Sequence, residues 1–289
     1  MNMRNCNQLL PTRSFYPTRM IHQMAPWVPT FIQSTKNNLK PFLPFQLATV
    51  DVHTNKPRCR TLVFRDFLFM DKRTNVLTFH IDLRSNKVRE SFDLNGSTPV
   101  EACFYFAETR EQYRFSGHCF LITRRNNGEI SRDITHRYGI ISPSVCGHHK
   151  EELYKFAAEE EREHPTDNDK GVQERVLFQS DFKPPLEKEW AMELKRQWSR
   201  LSRASKSQYR KPNPGTELTT ESSKLLDKIN RGVDGSKEET GLENFAIACI
   251  CVDEVDYLNL TSGSGDERVI FSRSVEGGAE NWDEKHVCP

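Results

Sequence analysis

Between Pro57 and Gly117 the chain reads PRCRTLVFRDF, then LTFHIDLRSNKVRES, then ACFYFAETREQYRFSG. Apolar residues alternate along all three stretches, a pattern that sends polar side chains to solvent. Into that pattern fall an arginine cluster, a Ser-x-Lys at the start of a predicted helix, and a glutamine inside a predicted strand. Arg60 is flanked by Thr61, Leu62 and Val63; a guanidinium buried there is costly without an anionic partner. Ser85-Asn86-Lys87 opens a helix whose first N–H groups are free to donate and whose dipole favours an anion. These are the groups that hold a phosphate.

Gln112 adds a different chemistry. A side-chain amide both donates and accepts, so it can meet the carbonyls and ring nitrogens along the edge of a planar heterocycle. Backbone groups of Thr61, Leu62 and Val63 can do the same at a strand end. Taken together and in this order, the residues describe a site for a phosphate-bearing planar ligand, with flavin mononucleotide (FMN) the leading candidate. Each residue alone has a plainer reading. Arg60 and Arg65 can pair with Asp66 or Glu101, Ser85 can be an N-cap, and Gln112 can be a hairpin residue. Arg84 and Arg89 are expected to be solvated.

Such residues need a sheet to carry them. A helix is expected from Pro26, with Trp27, Phe31 and the later Leu39 on its apolar face. FQLATVDVHTNKPRCRTLVFRDF gives two strands around a His-Thr-Asn-Lys-Pro turn, and VLTFHI gives a third. A helix over Ser85–Leu94 turns Val88 and Phe92 inward. PVEACFYF and EQYRFSGHCFLI supply two more strands. Strands joined by short turns predict an antiparallel sheet curled into a barrel that removes its edges. NFAIACICVDEVDYLNL, apolar on both faces, belongs at the centre of the sheet, and ERVIFSR is the expected last strand. Trp190, Leu194 and Trp198 recur at helical spacing as packing residues. Two polar insertions, at about 123–175 and 203–243, interrupt this domain of residues 24–289. The first includes an acidic helix and a disordered stretch, and the second a Pro-x-Pro-Gly turn at 212–215.

Composition excludes several classes. The formal charge of +1 gathers no nucleic acid, and no apolar run reaches the ~18 residues of a spanning helix. The eight scattered cysteines read as reduced thiols of a cytoplasmic or organellar protein. Cys249 and Cys251 share one face of a strand as buried apolar thiols. Residues 1–23 hold arginines but no acid, so they are either a mitochondrial presequence or a disordered extension. Cys146, His148, His149 and His164 are zinc-ligand types at no familiar spacing, and no metal site is expected. No nucleophile elbow, P-loop or dinucleotide glycine fingerprint is present, and no catalytic side chain is assigned.

The motifs PxxRTLVFRDF, FxxDxRSxK, EQYRFSG, QWSRLS…QYRKPNPG and NFAxxxxxxDEVDYLNL, with MAPW at Met24, resemble the pyridoxamine 5′-phosphate oxidase-like family of FMN-binding split barrels. The resemblance is strongest to a fungal and cyanobacterial subgroup, and covers Met24 to about Ile122, Trp190–Leu201 and Phe245–Phe271. It implies a mainly β (α+β) fold, a six-stranded antiparallel split barrel with peripheral helices, which forms a homodimer with two FMN sites at the interface. It carries the phosphate role onto Arg60, Arg65, Ser85, Asn86 and Lys87. Ring contacts fall to Thr61, Leu62, Val63 and Gln112 and to the backbone of His80 and Ile81. Where the oxidase pattern has arginine and lysine, this chain has Asn86 and Arg65, so its anion site is redistributed. The oxidase's substrate-binding Arg-x-His is missing: Leu258 stands near its tryptophan position and Arg268 is the remaining cation. The expectation is an FMN-dependent oxidoreductase with an unassigned small-molecule substrate. The alternatives are a non-catalytic flavin carrier or interaction protein, and a barrel that has lost its cofactor.

Overall fold

Six strands, some alternating apolar and polar residues and one, Phe245–Asn259, apolar on both faces, roll into one closed ring. In the computed structural model, which describes residues 20–21, 23–38, 42–94, 96–125, 130, 132–146, 177–178, 181–235, 237–261, 266–276 and 279–289, the elements in order are β1 (Met20–Ile21), α1 (Trp27–Lys36), β2 (Leu43–Asp51), β3 (Lys56–Phe67), β4 (Val76–Asp82), α2 (Asn86–Ser91), β5 (Thr98–Phe106), β6 (Glu111–Thr123), α3 (Arg132–Arg137), α4 (Pro143–Cys146), β7 (Leu177–Phe178), α5 (Glu187–Ser199), α6 (Arg203–Gln208), α7 (Thr220–Asn230), β8 (Phe245–Asn259), β9 (Glu267–Glu276) and β10 (Ala279–Val287). All pairings are antiparallel, in the order β8-β4-β3-β2-β5-β6, and β6 returns to β8 to close the barrel. β9 and β10 extend the sheet from β8.

The barrel interior is filled by inward residues such as Phe45, Leu47, Phe79, Phe104 and Phe115, and α1 seals it with Trp27, Val28 and Phe31. Phe31 meets Phe64, Phe104, Phe106, Tyr113 and Phe115 edge to face, the arrangement aromatic quadrupoles favour. A second core lies outside the wall. There Trp190, Leu194 and Trp198 of α5 cover Phe120, Ile122, Phe245, Ile247, Cys249 and Cys251. β8 is therefore apolar on both faces because it is packed on both, and its two thiols share the α5 side, their pKa values pushed well up by burial.

The structure departs from the sequence expectations in three places. The predicted last strand is followed by β10, whose Trp282 packs against Trp27. The polar stretch 203–243 carries two helices: α6 is capped by Ser202 and α7 by Thr219, each accepting from a backbone N–H three residues on. Met20–Ile21 of the N-terminal segment pairs with Leu177–Phe178. The rest of residues 1–19, Leu39, the stretch 147–149, His164 and the acidic run lie outside the described residues.

Candidate functional site

β3 is longer than its neighbour on one side. Its edge toward β2 is paired from Lys56 to Phe64, but its edge toward β4 is paired only from Phe64 to Phe67, across an irregularity at Phe64/Asp66. The barrel is therefore split beside residues 56–63. Backbone groups on that edge, including those of Thr61 and Val63, have no strand partner, and such groups demand one. α2 and the turn at residues 213–215 border the opening.

The first of two clefts in this split, of about 320 Å³, is lined by Arg58, Arg60, Ser85, Asn86, Lys87 and Gly215 among others. Arg60 donates from Nη1 to Thr49 Oγ1 at 2.7 Å and to the Leu47 carbonyl at 3.3 Å. Burial lowers its pKa, and burial followed by the Arg60 charge lowers that of Lys87. Among the described residues neither cation has a carboxylate at ion-pair distance. Glu90, the nearest acid lining the cleft, lies 3.7 Å from Arg58 Nε. Two half-buried cations thus face one another with no carboxylate in contact, Glu90 acting on both and Asp82 on Lys87 only as partial counter-charges at longer range, an arrangement that a bound dianion stabilises.

Ser85 does not cap α2. Its hydroxyl donates to the Asp82 carbonyl at 2.6 Å, so the N–H groups of Asn86 and Lys87 keep their donor capacity, while that of Val88 is bonded to the Ser85 carbonyl at 3.0 Å. Arg84, expected in solvent, is instead clamped. It donates to both Asp82 carboxylate oxygens at 3.0 and 2.7 Å and to the Lys211 carbonyl at 2.6 Å. That last bond ties the 212–215 turn to the helix entry. Arg89 is exposed as expected and bonds Asn86 Oδ1. Gly215 has φ +84°, and a Cβ there would sit 2.9 Å from Asn86 Nδ2; only glycine fits this wall without strain.

The second cleft, of about 180 Å³, is lined by Arg65, Asp66, His80, Gln197 and Arg200, with Arg196 behind them. Arg65 lies five residues along β3 from Arg60, roughly 16 Å at ~3.3 Å per residue, and Thr61, Leu62 and Val63 span the interval. Arg65 therefore does not share the Arg60–Lys87 cleft. His80 bonds Gln197 Oε1 through Nε2 at 2.8 Å, while the Ile81 side chain points into the barrel core. Neither arginine takes the simple ion pair. Asp66 accepts from the Phe67 N–H, and Glu101 faces Arg114.

Gln112 is not brought to either cleft within one chain. It lies on β6, three strands from β3 in either direction around the ring. Its side chain points away from the core that Tyr113 enters. Arg268 is also committed elsewhere, donating to Asp256 at 2.9 and 2.8 Å beside Arg114. Sequence reasoning missed Arg58, Pro214 and Gly215 as cleft walls, and Gln197 and Arg200. The Pro-x-Pro-Gly turn was visible, but nothing local placed it against Asn86. Among the described residues no group of three or more His, Cys, Asp or Glu side chains forms a metal site.

This split offers a cationic cradle for a phosphate, a free strand edge for a planar polar group, and a second polar cleft at the far end. Residues 24–123 match the family model described as pyridoxamine 5′-phosphate oxidase, FMN-binding domain. An uncharacterized protein of Saccharomyces cerevisiae is 50% identical over 303 residues, covering 93% of this chain and 100% of that protein. Pyridoxine/pyridoxamine 5′-phosphate oxidase 2 of Arabidopsis thaliana is 32% identical over 105 residues, 36% of this chain and 50% of that one. A pyridoxamine 5′-phosphate oxidase-related, FMN-binding protein of Nostoc punctiforme shares the fold, with a TM-score of 0.57 at 22% identity over 93% of this chain and 100% of its own. By its barrel, its matched domain and its full-length relative, the chain belongs to the pyridoxamine 5′-phosphate oxidase-like family of FMN-binding split-barrel proteins.

Proposed function

We propose that this protein holds FMN in the split between β3 and β4 and works as an FMN-dependent oxidoreductase. The observation that carries the reading is the pair of half-buried, facing cations, Arg60 and Lys87, without a contacting carboxylate, beside an unpaired strand edge. Arg60 and Lys87 would neutralise the phosphate. Ser85, Asn86 and the first N–H groups of α2 would complete its shell. The free backbone of Thr61 and Val63 would run beside the ribityl chain and ring, whereas the Leu62 backbone faces its paired neighbour β2. Bound FMN would supply hydride transfer at its N5 atom, while the protein's side chains orient it and exclude water.

A homodimer belongs to the same proposal. β3 and β2 carry exposed residues on their outer faces, including Cys59, Thr61, Gln46 and Val50, and among the described residues no helix covers them. A second copy docked there is the route by which Gln112 would reach a flavin ring. The substrate differs from that of the oxidase proper, because the Arg-x-His is missing and Arg268 is locked to Asp256. That same observation favours the second reading, a flavin carrier without turnover of its own. Purified protein tests both readings. A yellow preparation releasing a chromophore with the mass of FMN supports the site, and steady reduction of that flavin by an amine or alcohol donor excludes the carrier. A colourless protein that ignores added FMN rejects the proposal.

A further inference from the structure

Behind the turn that walls the Arg60–Lys87 cleft lies a third cavity, of about 410 Å³. Asp82 at the end of β4, the C-terminus of α6, the turn itself and the first half of α7 enclose it. Pro214 lines both this cavity and the Arg60–Lys87 cleft, so a single turn separates the two spaces. The bond from Arg84 to the Lys211 carbonyl, at 2.6 Å, holds that turn in place. A concave site of this size suits a small molecule.

Much of its wall is apolar carbon, from Pro212, Pro214, Leu218, Leu226 and the Tyr209 ring. Trp198 and Phe245 pack on that ring with centroids 5.7 and 5.2 Å away, which fixes its position. Leu218 leaves 69% of its surface exposed, so the mouth is open among the described residues. Two donors line the same space. The Tyr209 hydroxyl and the Lys211 ammonium have no hydrogen-bond or ion-pair partner among the described residues. Burial pushes the Tyr209 pKa up, so the hydroxyl stays protonated and donates to any anion beside it. Lys211 is half-buried, and an ammonium only donates. The acids of the lining do not cancel it. Both carboxylate oxygens of Asp82 are taken by Arg84, at 3.0 and 2.7 Å, and Glu217 is exposed, where salt and water screen it. The neighbouring cleft offers two cations, which match a dianion. This cavity offers one cation and one neutral donor, which match a monoanion.

We propose that this cavity binds a small carboxylic acid with an apolar, ring-sized body, the body lying against Tyr209, Pro212, Pro214 and Leu226 and the carboxylate meeting Lys211 and the Tyr209 hydroxyl. The site is built from its own walls and stands whether or not the Arg60–Lys87 cleft takes FMN. With a flavin in place, the acid would sit on the far side of the 212–215 turn from the phosphate.

The test titrates the full chain with 2-naphthoate and with its uncharged counterpart 2-naphthamide, followed by ligand fluorescence. The unmodified protein should bind the acid roughly 5- to 10-fold more tightly than the amide, the size of a charge-assisted contact at a partly exposed site. Raising the salt concentration should weaken the acid and leave the amide unchanged, a readout that needs no variant. Lys211→Met, which keeps the apolar stem, should lower naphthoate affinity by the same factor without affecting naphthamide. Tyr209→Phe, which keeps the ring, should weaken the acid several-fold. The Arg60→Met/Lys87→Met variant, which disables the neighbouring cleft, should bind naphthoate as the unmodified protein does. No saturable naphthoate binding, or equal affinity for acid and amide, overturns the proposal. Loss of naphthoate in the Arg60→Met/Lys87→Met variant also overturns it, because the acid would then belong to the other cleft. None of these outcomes bears on FMN, whose affinity is measured separately.

Discussion

Replacing Lys87 by glutamine separates a binding cation from a structural one. In the flavin-free protein Lys87 is half-buried, is destabilised in its charged form by burial and by Arg60, and has no carboxylate partner among the described residues. Its charge therefore opposes folding. Lys87→Gln should leave the flavin-free melting temperature unchanged or raise it by about 1–3 °C, as a gain of up to ~1 kcal/mol would do for a domain of this size. The same change should weaken FMN. A charge-assisted contact contributes about 1.5–3 kcal/mol, so Kd should rise roughly 10- to 150-fold. The pH dependence has a definite sign. The native pKa of Lys87 lies below its ordinary value of 10.5, so between the two the unfolded chain binds more protons and stability rises with pH. The wild type should show that rise through the alkaline range relative to Lys87→Gln. Thermal melts with and without FMN, paired with fluorescence titration, read all three effects. A flavin-free variant that loses several degrees while its FMN affinity stays intact would refute the reasoning.

Gly215→Ala places a Cβ 2.9 Å from Asn86 Nδ2 at φ +84°. A left-handed backbone costs a non-glycine residue about 1–2 kcal/mol, so FMN affinity should fall several-fold in titration as the wall shifts. Cys59 is exposed and lines the Arg60–Lys87 cleft, whereas Cys119, Cys249 and Cys251 are buried with raised pKa values. Timed alkylation with mass mapping should label Cys59 well before those three, and bound FMN should slow it. Asp51 accepts from the N–H groups of His53 and Thr54 and from Arg58, and the contact with Thr54 leads in holding its pKa down to about 2. Its stabilisation is complete above the ordinary carboxylate value of 3.8 and is lost as pH falls through about 2. Asp51→Asn should therefore melt lower than wild type at neutral pH, with the gap closing toward pH 2.

How much of this was legible depended on range. Strands with one buried face announce themselves by alternation, and β8 by its apolar run, because both patterns are local. β10 was hidden because NWDEKHV is an edge strand whose polar residues meet solvent. Arg60 and Lys87 could be paired in advance because each broke a local rule: a cation in an apolar strand, and a cation at a helix start. Arg84 was misjudged because its second partner, the Lys211 carbonyl, comes from a distant turn. The same turn supplies Gly215. Gln112 has the right chemistry for a ring edge, but the barrel closure that puts β6 opposite β3 is set by long-range pairing. The family resemblance names His80 only through its backbone; the bond of its side chain to Gln197 carried no sequence signal, since α5 read only as packing.

The central claim is that the split recognises a phosphate as well as a ring. The most direct test is the ratio of riboflavin to FMN dissociation constants, measured for the wild type and for an Arg60→Met/Lys87→Met double variant. Two charge-assisted contacts at about 1.5–3 kcal/mol each predict that the wild type prefers FMN by roughly 10²- to 10⁴-fold, and that the preference largely disappears in the double variant while riboflavin affinity holds. Equal affinity for riboflavin and FMN in the wild type, or an undiminished preference in the double variant, would contradict the account.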